Sequence, residues 1–302
     1  MASRGRVALI AAGITVGVIA LFLGTVWLML TALDEGGLPG GAKVAVVEIE
    51  GIIGVASTGG VETDSIVRTL SDHRDNPSVA AVVLRVNSPG GVVGPTQEIF
   101  SAVERVRAAG KPVVASMGSV AASGGYYVAV AANRIYANPG TLTGSIGVVM
   151  QLANVEGLLK KVGVEYVVVK SGAYKDVGSF ARPMKPEERQ VLQALLDDVY
   201  GQFIKAVAER RGLDEKAVKG FADGRIYSGQ QARALKMVDE MGGLEDAIEA
   251  AGKLAGIPGR PKVIYPRRRF SVFELLQSRF RLEATELLPG LASLRTPLYL
   301  MQ

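Results

Sequence analysis

Ser123 stands in the stretch Ser116-Met117-Gly118-Ser119-Val120-Ala121-Ala122-Ser123-Gly124-Gly125-Tyr126-Tyr127. The short apolar run Pro112 to Ala115 before it has the length of a buried strand, and the small apolar residues Val128 to Asn133 after it suit a packed helix. The spacing therefore predicts that Ser123 ends a strand-to-helix turn. Such a turn exposes the hydroxyl above the sheet and sets Gly124 and Gly125 in the first helical turn, where N–H groups lack intrahelical acceptors. An oxyanion forming beside Ser123 would meet those donors, and the absent Cβ atoms let a substrate carbonyl approach the backbone. The competing reading is a Gly-rich turn with an N-capping serine.

A serine nucleophile needs a base, and the supply of bases narrows the chemistry. The chain has one histidine, His73, within the polar stretch Ser71 to Pro77, which reads as a solvated surface loop; it has no cysteine. Thiol nucleophiles, thiolate metal sites and a His-rich zinc site are thereby excluded. The base left to Ser123 is lysine. Two lysines stand together in Lys170-Ser171-Gly172-Ala173-Tyr174-Lys175-Asp176. Lys170 ends a predicted strand, and Lys175 lies beyond the Gly172 turn, from which it can fold back over the sheet edge. A second Gly-rich turn, Asn87-Ser88-Pro89-Gly90-Gly91-Val92-Val93-Gly94, ends another strand at the edge where open α/β sheets place ligands. It offers a second oxyanion donor or is ordinary turn chemistry. A loop dense in hydroxyls and glycines, Asn138 to Gly147, follows the Ser123 unit.

The elements that must position these residues are repeated βα units. Lys43 to Ile49 reads as a first strand, Glu62 to Leu70 has helical spacing, and Val79 to Val86 is a β-branched run of the kind found in buried parallel strands. Pro95 at a helix N1 position opens Thr96 to Ala109, which Gly110 closes. Asn154 to Val162 is predicted helical and capped by Gly163, and Val164 to Val169 is predicted to be another buried strand. Pro186 to Arg211 has the spacing of the longest helix. Asp214 to Lys219, Ser228 to Leu235 with Ser228 as N-cap, and Leu244 to Leu254 read as shorter ones.

The 302 residues divide into five stretches. Residues 1–6 are a cytoplasmic N-terminus. Residues 7–33 carry no charge and exceed the ~20 residues that cross a bilayer as a helix. The stretch ends in bulky residues rather than a small-residue cleavage site, which reads as an uncleaved anchor. Arg4 and Arg6 precede it and Asp34 and Glu35 follow it, so the expected topology is single-pass, with the remainder outside the cytoplasmic membrane. Residues 34–42 are a Gly-rich linker, 43–255 an α/β domain, and 256–302 a C-terminal extension with an amphipathic stretch from Ser271 to Phe280. Net charge is +5, but acidic and basic residues are interspersed and the only compact basic run is Arg267-Arg268-Arg269, so the charge is no signal for nucleic acid. Without cysteine, an extracytoplasmic domain is not held by disulfides.

With these residues in view, the chain resembles the signal peptide peptidase A family, short bacterial form, within the caseinolytic-protease and crotonase-like superfamily. The resemblance spans about Lys43 to Leu254 with the preceding anchor, and rests on Asn87 to Gly91, Ala122 to Tyr127, Thr143-Gly144-Ser145-Ile146-Gly147 and Lys170 to Asp176. It implies that Ser123 is the nucleophile, that Lys175 is the general base, that Ser145 orients the lysine amine, and that Gly90 donates to the oxyanion. Gly124 joins Gly90 on the physical grounds given above. It also implies apolar peptide substrates such as cleaved signal peptides, no cofactor, and a homo-oligomeric ring in which serine and lysine come from adjacent subunits. A lysine acting as base must have its pKa brought down from ~10.4 toward neutrality by desolvation, which a facing carboxylate would oppose. Asp176 is therefore expected to face away from Lys175. Two other readings stand beside this one: a crotonase-like acyl-CoA enzyme, which holds a thioester enolate with similar backbone donors, and a catalytically inactive membrane scaffold.

Overall fold

Val79 to Ser88 buries residues on both faces, as a strand does when helices cover a parallel sheet on each side. In the computed structural model of the protein, which describes residues 13–28, 41–55 and 60–266, this strand lies at the centre of an eight-stranded, mostly parallel sheet. The elements run in chain order: helix α1 (13–28), strands β1 (Lys43–Glu50), β2 (Ile52–Ile53) and β3 (Gly60–Val61), helix α2 (Thr63–Asp75), β4 (Val79–Ser88), α3 (Val93–Ala108), β5 (Val113–Ala122) and α4 (Gly124–Val130). Then come β6 (Arg134–Ala137), β7 (Leu142–Gly144), α5 (Glu156–Lys161), α6 (Pro186–Arg211), α7 (Glu215–Lys219), β8 (Ile226–Ser228), α8 (Gly229–Ala234), β9 (Glu240–Met241), α9 (Leu244–Leu254) and β10 (Lys262–Ile264). The sheet order is β10-β1-β4-β5-β6-β9, with β7 paired to the far end of β5 and β8 antiparallel to β7. The fold is α/β, as expected.

Alternation along each strand sorts the core into two layers. Val82, Leu84 and Val86 of β4 face one side with Leu70, Ile99 and Val103 of α2 and α3, while Ala81 and Val83 face the other with Ala247, Ile248 and Ala251 of α9. Full burial of each large aliphatic side chain contributes about 1.5–3 kcal/mol, so these layers dominate the stability of the sheet that carries the site.

Several expected elements change at their ends. β5 runs on through Ser116 to Ala122, so Ser123 directly terminates the strand, and α4 starts at Gly124 instead of Val128. α3 begins two residues before Pro95, because Val92 takes the extended N-cap conformation. His73 lies in the last turn of α2, half-buried, where burial lowers its pKa; the solvated-loop reading was wrong there. Lys262–Ile264 joins the sheet as β10 beside β1, beyond the residue 255 at which the extension was expected to start. A second unit, Tyr265–Gln302, follows. The expected stretch Ser271 to Phe280, the run Arg267-Arg268-Arg269 and the apolar residues Leu298 to Met301 fall outside the described residues.

The largest correction concerns Val164 to Val169. It is not a buried strand: it pairs with nothing in the sheet, and Val167 and Val169 are 73% and 97% exposed. It belongs to an excursion between β7 and α6, in which α5 buries none of its residues and Val155 N–H donates to the Phe180 carbonyl at 2.7 Å. β-branched composition favours an extended backbone, but what covers that backbone is a tertiary matter.

α1 exposes Ile14, Leu21, Phe22, Trp27 and other large apolar residues. The expected anchor at 7–33 extends past the described residues at both ends; among the described residues no helix is long and apolar enough to cross a membrane.

Candidate active site

The strand-to-helix turn at Ser123 has a backbone that serine rarely adopts, with φ 50° and ψ −120°. Left-handed backbone of this kind costs a non-glycine residue on the order of 1–3 kcal/mol, and persists where the surroundings over-determine it. Here Ser123 N–H donates to the Gly144 carbonyl at 2.8 Å, Tyr127 N–H donates to the Ser123 carbonyl at 2.9 Å, and β5 is locked to β7 by the pairs Val120↔Leu142, Ala121↔Thr143 and Ala122↔Gly144. Below the turn α4 is almost wholly buried, with Tyr126 Oη donating to the Met237 carbonyl at 3.1 Å and the Tyr127 ring between those of Phe100 and Phe203. The Ser123 hydroxyl makes no capping bond to the helix. The N-cap reading therefore fails, and the hydroxyl is left for other work.

The Pro-Gly-Gly turn packs directly on this turn. Gly90 has φ 113°, and a Cβ there would fall 2.8 Å from Gly124 N and 2.9 Å from Ser123 Cβ, so only glycine admits the approach. The Gly90 N–H, however, donates to Ser88 Oγ at 3.1 Å. Its neighbour Gly91 lines a cavity together with Ser123 and Gly124, its N–H engages no acceptor among the described residues, and its nitrogen lies 3.2 Å from the point a Gly124 Cβ would occupy. Sequence reasoning missed Gly91 because adjacent glycines are equivalent until the Ser88 hydroxyl takes one of their N–H groups.

Ser145 follows β7 as Ser123 follows β5, so the paired strands deliver the two serines side by side. Its backbone is also left-handed, at φ 49°, and its N–H donates to the Arg225 carbonyl at 2.8 Å. The other hydroxyls of this loop are structural. Thr141 and Thr143 donate to the carbonyls of Gly118 and Ala121 at 2.7 and 2.6 Å.

Two cavities meet at Ser123. One, of about 130 Å³, is largely apolar and reaches Val93, Tyr127, Val148, Val199 and Phe203. The other, of about 550 Å³, contains both Ser123 and Ser145 and extends to Met150, Leu196 and Tyr200 of its walls. His73 lines neither, and neither does any lysine.

Lys175 is exposed on the excursion, and among the described residues its amine makes no ion pair. Lys170 is tied down instead: its amine meets Asp176 at 2.5 Å and the Ala173 carbonyl at 2.9 Å. Asp176 also accepts from Arg182 Nε at 2.9 Å. The Arg182 guanidinium and then the Lys170 amine hold its carboxyl well below the usual carboxylate range. The Asp176 carboxylate is thus committed to Lys170 and Arg182.

A serine with a free hydroxyl, held on a strained turn at the carboxyl edge of a parallel sheet and flanked by glycine N–H groups, is the arrangement of a serine hydrolase. Residues 105–258 match peptidase family S49. Over 215 residues, 71% of this chain and 75% of the relative, the chain is 46% identical to a putative protease of Synechocystis sp.. It is 35% identical over 247 residues to a putative signal peptide peptidase SppA of Enterococcus faecium, covering 70% of that protein. It is 39% identical over 227 residues to protease 4 of Salmonella typhi, of which it spans only 36%. The chain belongs to peptidase family S49, among the SppA proteases, and is a serine peptidase.

Proposed function

We propose that the protein is a Ser/Lys endopeptidase, anchored in the cytoplasmic membrane with its α/β domain outside, that hydrolyses apolar peptides such as signal peptides left after preprotein cleavage. The observation that carries the proposal is Ser123 itself, strained, lining an apolar cavity, and with no partner for its hydroxyl among the described residues. Membership in a peptidase family favours this reading over the acyl-CoA and scaffold alternatives.

In the proposed reaction, the neutral amine of Lys175 accepts the Ser123 proton as Oγ attacks the scissile carbonyl carbon. The oxyanion takes hydrogen bonds from the N–H groups of Gly124 and of the Gly90-Gly91 turn, with Gly91 the one not otherwise engaged. Collapse breaks the C–N bond, the departing amine takes the proton from the lysinium, and an ester to Ser123 remains. Water, deprotonated by the same amine, hydrolyses the ester. Ser145 orients the amine. Lys175 reaches Ser123 from an adjacent copy of the chain in a closed ring; the uncovered Val164 to Val169 and the absence of any lysine from the walls around Ser123 support this.

The test is the pH dependence of hydrolysis of an apolar fluorogenic peptide. Because the base works only without its proton, the rate rises with pH into the alkaline range. Lys175→Ala removes that rise together with the activity, while Lys170→Ala leaves it in place. A flat profile with an active Lys175→Ala would remove lysine from the mechanism.

The anchor rests on the apolar, uncharged stretch 7–33 and the exposed apolar surface of α1. A reporter fused after residue 302 is expected to register outside the cytoplasm, with the protein in the membrane fraction unless residues 1–33 are deleted. Cytoplasmic reporter activity would refute this topology.

A further inference from the structure

The turn that carries Lys175 is held more firmly than an exposed turn requires. Arg182 uses all five of its N–H donors. Nε donates to Asp176 Oδ2 at 2.9 Å and Nη2 to the Asp176 carbonyl at 3.2 Å. Nη1 donates to the Pro183 carbonyl at 3.1 Å and to Glu188 Oε2 at 2.9 Å, and Nη2 donates to Glu188 Oε1 at 2.5 Å. Glu188, 2% exposed, also accepts the Lys185 N–H at 2.9 Å and so caps the start of α6. The Arg182 guanidinium, followed by that N–H, holds its pKa down at about 2.

The consequence falls on one residue. Asp176 directly follows Lys175, and Arg182 grips both its carboxylate and its carbonyl. Lys175 N–H donates to the Gly172 carbonyl at 3.1 Å, and Val177 N–H to that of Tyr174 at 3.2 Å. The backbone after Lys175 is therefore tied through Arg182 and Glu188 to α6, while the turn before it closes on itself; α6 further along supplies Val199 and Phe203 to the cavity at Ser123. The Lys175 side chain itself engages no partner among the described residues.

We infer that Arg182 is a positioning residue for Lys175, acting through Asp176 and anchored by Glu188 to the head of α6. The inference rests on the reading of Lys175 as the base. A fork of five donors on two carboxylates and two carbonyls sets direction as well as distance, which a point-charge lysine in its place would not.

The charged groups around this turn are Lys170 at its start, Asp176 within it, Arg182 between it and α6, and Glu188 in the first turn of α6. They make the test specific. Asp176→Asn removes an anion beside Lys175 and leaves Arg182 and Lys170 cationic; Arg182→Gln removes a cation and leaves two carboxylates. In the full-length protein both variants lower kcat on the alkaline plateau tenfold or more, with KM within threefold of wild type. The inflection of the pH–kcat profile moves to lower pH in Asp176→Asn and to higher pH in Arg182→Gln. A role confined to fold stability predicts a lower Tm with the inflection unmoved, and that result, or wild-type kcat in both variants, overturns the inference. If Arg182→Gln does not fold, Asp176→Asn decides alone, since it leaves the pair between Arg182 and Glu188 intact. An active Lys175→Ala would instead sink the underlying assignment of the base. An inactive Lys175→Ala beside unaffected Asp176 and Arg182 variants would sink only the positioning role.

Discussion

Ser123→Ala abolishes peptide hydrolysis and labelling by a serine-directed phosphonate, with kcat/KM lower by on the order of 10⁴-fold or more, since a nucleophile and its base act as a unit. Stability stays within about 1 kcal/mol of wild type, because the hydroxyl makes no bond that folding depends on and alanine bears the same left-handed backbone. Ser123→Gly is equally inactive, but more stable than the alanine variant by about 1 kcal/mol, because glycine adopts φ 50° without strain. Thermal unfolding of the two variants reads that difference. Ser119, exposed near the end of β5, is the internal control. An active Ser123→Ala beside an inactive Ser119→Ala would move the nucleophile.

Ser123→Ala and Lys175→Ala proteins, each inactive alone, regain activity when unfolded and reassembled together. If each site takes its serine from one copy and its lysine from the next, random mixing in equal amounts leaves roughly a quarter of the interfaces with both residues intact. Activity of the mixture then approaches about a quarter of wild type. The expectation is what the family resemblance implies, and the placement of Lys175 on an excursion whose apolar residues Val164, Tyr166, Val167 and Val169 are exposed among the described residues supports it. Mixed oligomers that remain inactive, with mixing confirmed by mass measurement, would put the dyad inside one chain.

Much of this site was legible because its parts are local. The turn at Ser123, the glycines after it, the N-cap at Ser228 and the spans of α6 and α9 follow from turn chemistry and apolar spacing within a few residues. What escaped depends on distant partners. Whether Gly90 or Gly91 keeps a free N–H is decided by the hydroxyl of Ser88. Lys262–Ile264 has the composition of any short extended piece until β1 offers its edge. Val164 to Val169 has the pattern of a covered strand, yet nothing among the described residues covers it. Arg182 and Glu188 drew no reading from the sequence, because nothing in their spacing announces that one arginine will satisfy two carboxylates.

The backbone at position 123 also restricts which nucleophiles this turn can carry. A β-branched side chain is a far worse fit to φ 50° than an unbranched one, so threonine is barred by conformation even though its hydroxyl has the needed reactivity. Cysteine keeps a single γ atom and passes the same steric filter. Glycine, alanine and cysteine are therefore tolerated at this position with less strain than threonine.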